Sequence, residues 1–157
     1  MTEYKGACSC GTVVFNVKGE PLFTQHCHCN KCREIAARSN RAADKVGYSF
    51  TAAYLTPMFT ITSGEAELET VTRNTSNLFL CKHCGSLIYG ISQDPSKQAG
   101  IGVNANNIEF PEGILPKTFK PDKHIWYQDR IKDVDDALPK SKDAPVEQFG
   151  SGELINI

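Results

Sequence analysis

The sequence predicts a mainly β domain with one short helix, stabilised by bound zinc rather than by disulfides. Three observations carry that expectation. Several stretches alternate apolar and polar residues with period two, one stretch is rich in helix formers, and seven cysteines fall into three tight groups. A length of 157 residues suits one ordinary domain with a core of its own.

The elements follow in chain order. In GTVVFNVKGEP, Val13, Phe15 and Val17 alternate with Thr12, Asn16 and Lys18, a strand closed by a Gly-Glu-Pro turn. LFTQHC reads as a second short strand that leads into HCHCNKC, residues 26–32. The next stretch, NKCREIAARSNRAADK, has good helix formers and no Gly or Pro, with Asn30 placed to cap its start. Such a helix would aim its positive dipole end at Cys29 and Cys32. From Tyr48 to Thr72 the chain is rich in β-branched and aromatic residues, and SGE at 63–65 marks a turn between two strands. NLFLCKHCGSLIYG predicts a hairpin with Cys81 and Cys84 at its tip and Gly85 free to take positive φ. AGIGVNANNIEF adds a further strand, and PDKHIWYQ holds the single Trp. The expected domain spans 1–132; residues 133–157, poor in large apolar side chains, are expected to form a weakly ordered tail.

Composition narrows the function classes. A formal net charge of −1, with both signs mixed along the chain, gives no electrostatic footprint for nucleic acid or an anionic membrane. No run of about 18 apolar residues occurs, and MTEYKGACSCG lacks the regions of a signal peptide, so a cytoplasmic location is expected. In that compartment thiols are kept reduced, and an odd number of cysteines would leave one unpaired.

Seven thiols divide into four and three. Cys8 and Cys10 with Cys81 and Cys84 supply the four ligands of a closed tetrahedral site, which would close a loop of about seventy residues. Cys27, Cys29 and Cys32 have no fourth cysteine left to them. A water, a substrate thiol or one of their own histidines must complete that site. The alternative division, in which the central group borrows Cys8 or Cys10, strands single cysteines elsewhere. His26 and His28 are disfavoured as ligands, because on extended backbone the residue between two ligands points away from the metal. His83 is expected to face solvent, and His124 to be an ordinary core or surface histidine. Arg33, Arg38, Arg41 and Lys45 could receive substrate carboxylates, but a charge-rich helix is more often a solvated face.

Together, GACSCGTVVFNV, HCHCNKCR, FLCKHCGSLIYG and PDKHIW resemble the glutathione-dependent formaldehyde-activating family, also called the CENP-V/GFA domain, over about residues 5–130. The resemblance implies a β-tent fold of several small antiparallel sheets. It also implies two zinc ions per chain: a structural one on Cys8, Cys10, Cys81 and Cys84, and a catalytic one on Cys27, Cys29 and Cys32 with an open position. The activity it implies is that of a carbon-sulfur lyase resembling S-(hydroxymethyl)glutathione synthase, with small-molecule thiol and aldehyde substrates. The stretch EIAARSNRAADKVGYSF departs from the family pattern, being longer and delaying its glycine to Gly47. The competing expectation is a non-enzymatic two-zinc module that recruits a protein partner, with a histidine completing the second site. Reductase chemistry would need a nucleophilic cysteine outside both groups, and none is left over.

Overall fold

The computed structural model describes residues 1–155. It is mainly β, with ten strands and one α-helix among the described residues. The strands are β1 Glu3–Ala7, β2 Val14–Lys18, β3 Phe23–Cys27, β4 Ser49–Leu55, β5 Phe59–Ser63, β6 Leu68–Arg73, β7 Ser76–Cys81, β8 Leu87–Ser92, β9 Gly100–Asn104 and β10 His124–Ile125; the helix is α1 Asn30–Ala36. They form two sheets, a three-stranded one in the order β1-β2-β5 and a seven-stranded one in the order β10-β3-β4-β9-β8-β7-β6. All pairings are antiparallel except β10 with β3. The SGE turn separates strands of different sheets, since β5 pairs with β2 and β6 with β7.

The main core lies between the sheets. Alternate residues of β2 (Phe15, Val17) and of β4 and β9 (Ala52, Tyr54, Ile101, Val103) are buried together with Tyr4, Ile88 and Phe119. Each large apolar side chain placed there contributes about 1.5–3 kcal/mol relative to exposure. The opposite face of the large sheet carries a smaller cluster, in which Ile35 of α1 sits on Leu78 and Leu80, with Val71 and Leu87 at its margin. That contact fixes the helix over one end of this face.

The helix is shorter than expected and begins differently. Cys29, not Asn30, is the N-cap: its sulfur accepts the Cys32 amide at 3.2 Å, and Asn30 is already helical. Asn30 Oδ1 instead accepts from the Arg33 guanidinium. The helix stops at Ala36 although its sequence favours continuation, because the following residues are held elsewhere. Asn40 N–H donates to the Cys84 carbonyl (3.2 Å), and the Arg38 carbonyl lies against Gly85. Tertiary contacts override propensity here, and the rest of the stretch returns as a 3₁₀ turn at Ala42–Lys45.

The segment after Lys132, which composition assigns to a weakly ordered tail, runs along the chain around β10. The His124 amide donates to the Pro139 carbonyl (2.9 Å) and the Ser141 amide to the His124 carbonyl (2.9 Å). Ser141 in turn bridges Leu154. A strand edge recruits backbone regardless of how apolar the recruited chain is. Residues 156 and 157 of that expected tail lie outside the described residues.

Candidate metal centre

The four outer cysteines come together. Their Sγ atoms lie within 4.8 Å of one another, with Cys8 to Cys10 at 3.5 Å and Cys10 to Cys81 at 3.7 Å. A tetrahedral ion with metal-sulfur bonds near 2.3 Å needs sulfur-sulfur separations of about 3.8 Å, so the cluster fits one. Two tight turns deliver it. In the first, the Cys8 amide donates to the Val13 carbonyl and the Val13 amide to Cys8 Sγ (3.3 Å). In the second, the Cys81 amide donates to the Ser86 carbonyl and the Gly85 amide to the Cys81 carbonyl. Gly85 has φ +73, and a Cβ there would sit 1.9 Å from the Arg38 carbonyl oxygen. Only glycine allows both the turn and that approach.

The three central cysteines form a second group, their sulfurs also within 4.8 Å of one another and Cys27 3.4 Å from Cys32. β3 ends at Cys27, Cys29 caps α1, and Cys32 lies in the helix's first turn. The thiols titrate together. Hydrogen bonds from Cys27 and then Cys32 hold Cys29 down to about 2 against burial, helped by the Cys32 amide and Arg73, while the Cys29 partner pushes Cys27 well above the ordinary thiol value. Cys29 is also the sulfur that receives a backbone donor, the Cys32 amide. None of the seven cysteines is in a disulfide.

Neither flanking histidine joins the group. His26 Nδ1 faces the Ser49 carbonyl at 3.1 Å, and His28 Nε2 faces His124 Nδ1 at 2.8 Å. His124, which the sequence suggested was unremarkable, is fully buried and continues to Asp136 through Nε2 (2.7 Å). The result is a His28–His124–Asp136 chain running from two buried imidazoles to a carboxylate at the surface, with Lys140 Nζ 2.7 Å from the second carboxylate oxygen. Burial pulls the His28 imidazole down to about 4, with the neighbouring His124 charge acting in the same direction. Burial pushes the Asp136 carboxyl up, but bonds from Lys140 and His124 outweigh it and hold it at about 2. His83 is exposed and faces Glu67 at 2.9 Å.

Arg73, on β6, was not singled out by the sequence. Its Nη1 donates to Cys32 Sγ at 3.1 Å. The cations on and after the helix serve other ends: Arg33 Nη1 donates to the His28 and Asp129 carbonyls (2.5 and 2.6 Å), Arg38 lies 3.9 Å from Glu69, and Arg41 Nη2 donates to the Ala7 carbonyl (3.3 Å). Beside Cys27 and Cys32 opens a cavity of about 470 Å³, on the face of the large sheet that carries α1. Its size is that of an ordinary small-molecule site.

Fold and site define a β-sheet protein with two sulfur clusters suited to thiophilic metal ions, one closed by four thiols and one left with three at the mouth of a cavity. The chain belongs to the glutathione-dependent formaldehyde-activating family: the family's sequence pattern, described as glutathione-dependent formaldehyde-activating enzyme, matches residues 3–129. No curated protein sequence matches the chain significantly. The fold is similar to the crystal structure of a Rhodobacter sphaeroides protein, a structural genomics target, with a TM-score of 0.51 and 24% identity over 72% of this chain and 92% of that one. Among the described residues no helix is long and apolar enough to cross a membrane.

Proposed function

We propose that the chain is a zinc-dependent carbon-sulfur lyase, which condenses a small aldehyde with a thiol cosubstrate, glutathione being the one the family's name supplies, at the three-cysteine centre. The observation that supports it most is the position of that centre: three sulfurs with no fourth protein ligand among the described residues, opening onto a cavity large enough for a substrate. In the balanced reaction a sulfur-carbon bond forms, the carbonyl π bond breaks, and the thiol proton ends on the new hydroxyl oxygen. Zinc held by Cys27, Cys29 and Cys32 would supply Lewis acidity and favour a thiolate over a thiol.

The protein's own residues account for the rest. Cys29 is anchored by the Cys32 amide and Cys27 by the end of β3, so the three sulfurs are fixed by backbone rather than by flexible side chains. Arg73 places a permanent positive charge beside Cys32, offsetting the negative charge of three thiolates. Cys8, Cys10, Cys81 and Cys84 would hold a second, structural zinc.

The competing reading, a protein-recruiting module with two structural zincs, needs a histidine to complete the second site. What speaks against it is position: among the described residues no histidine nitrogen lies with the Cys27, Cys29 and Cys32 sulfurs in one ligand group. The deciding experiment measures metal per chain before and after mild chelation, alongside turnover of a thiol with formaldehyde. Two zincs are expected, one of them more easily removed, with activity lost in step with it. The Cys29→Ser variant should keep one zinc and lose turnover; a variant that lost a zinc and kept turnover would sink the proposal.

A further inference from the structure

The cavity beside the three-cysteine centre has a composition that selects among thiols. Its walls include Leu22, Phe23, Leu78, Ile91, Ile101 and Phe149. Its floor is nearly bare backbone: Gly90 and Gly102 face each other across β8 and β9, and Ala53 lies opposite Gly102 on β4. A Cβ at Gly90 would stand 2.7 Å from Leu78 Cδ2, and one at Gly102 3.1 Å from Thr51 Cγ2. The hollow exists because side chains are missing from its centre.

Charge is distributed unfavourably for an anionic ligand. Among the described lining residues Arg73 is the one cation, and it is engaged by Cys32; Asp44 and Glu147 are the anions. Arg33, Arg38, Arg41 and Lys45 do not border the cavity. Several polar side chains at its margin are already spent. Gln25 and Gln148 bond each other through both amides (2.9 and 3.2 Å), and Asp44 receives Ser39, Asn104 and Asn106. Ser49 Oγ is different: it is buried without a partner and belongs to the residue paired with Cys27 across β3 and β4. The site thus offers sulfur, one guanidinium and the Ser49 hydroxyl at one end; Thr51, Ser76 and Ser92 add uncharged hydroxyls, and the rest of the wall is mainly apolar.

We propose that the thiol this centre takes has an uncharged, apolar body, seated on the Gly90–Gly102 floor, rather than the charged body of glutathione. Glutathione would bring two carboxylates and an ammonium against a lining whose one cation, Arg73, is engaged by Cys32, while Lys97 and Lys123 are held over the Phe149 and Phe23 rings, so its charges would be desolvated without matched partners. Formaldehyde has no body to place, so the selection falls on the thiol. This inference rests on the carbon-sulfur reading for the identity of the reacting group, while the fit of the body is a separate matter of binding.

The test separates the two. Trp126 lines the cavity and is the chain's single tryptophan, so its emission reports filling. The zinc-loaded full chain is titrated with ethanethiol, butanethiol, hexanethiol and glutathione, with calorimetry giving the same dissociation constants. Affinity is expected to rise about threefold to fourfold per added methylene, with glutathione at least tenfold weaker than butanethiol. Leu22→Lys, at a rim position 60% exposed and therefore tolerant of charge, should narrow that gap. Affinity independent of chain length, unchanged emission with every thiol, or glutathione bound as tightly as hexanethiol would overturn the inference. Adduct formation with formaldehyde is followed in parallel by NMR. Chain-length-dependent binding with no adduct from any thiol would defeat the lyase reading and leave the pocket assignment standing. Adduct formed from glutathione in preference to the alkanethiols would do the reverse.

Discussion

Arg73 is the side chain outside the cysteines that, among the described residues, donates a hydrogen bond to a sulfur of the three-cysteine group. It is fixed on β6 and reaches across 41 positions of sequence to Cys32 Sγ. Groups that orient and charge-balance a ligand typically account for 10- to 100-fold in metal affinity. Arg73→Met is therefore expected to weaken zinc at the three-cysteine site by about that factor while leaving the four-cysteine site unchanged, and Arg73→Lys to recover part of the loss. A competition titration with a chromogenic chelator, resolved into two phases, checks this; equal weakening of both phases would contradict it. Nothing in the sequence distinguishes Arg73 among 17 basic residues, since its role is set by pairing between distant strands. The cysteines were legible for the opposite reason: their chemistry constrains spacing locally, and two or three ligands from one turn leave a pattern within a few residues.

At the scale of elements, the β7–β8 hairpin and the end of α1 are one unit. The hairpin tip was legible from Cys81-x-x-Cys84-Gly between two apolar runs, and the strands from their alternation. The early end of the helix was not, because it comes from the Arg38 carbonyl packing on Gly85 and the Asn40 amide binding the Cys84 carbonyl. Gly85→Ala meets both obstacles at once: left-handed backbone costs roughly 1–2 kcal/mol for a residue with a Cβ, and the carbonyl must move away. We expect a lower melting temperature together with weaker metal retention at the four-cysteine cluster. Thermal denaturation monitored with zinc release measures both. A fall in melting temperature with retention unchanged would show that the turn and the cluster are independent.

For the whole molecule, the chain beyond the family match is part of the packing. Asp136 ties residues 133–141 to β10 through His124, and Lys140 of the same segment donates to its other carboxylate oxygen. Its folded pKa of about 2 lies below the ordinary 3.8, so the unfolded chain takes up the proton first. The stabilisation is complete above about pH 5 and is lost as pH falls through 3.8 towards 2. With a side chain 31% exposed, solvent screening reduces it to about 1 kcal/mol. Asp136→Asn should lower the urea midpoint at pH 7, and the difference from the parent chain should shrink as pH falls through 3.8 and vanish only towards about pH 1. A pH-independent difference would assign the loss to packing. Composition could not reveal this docking, because backbone edge bonds and one buried lysine carry it rather than large apolar side chains. The 38–40 connection has a consequence of its own. The helix that carries Cys32 is braced against the turn that carries Cys84, so order at one sulfur cluster is tied to order at the other. Loosening the Cys84 turn would be felt at Cys32, and the two clusters would respond to damage as one unit.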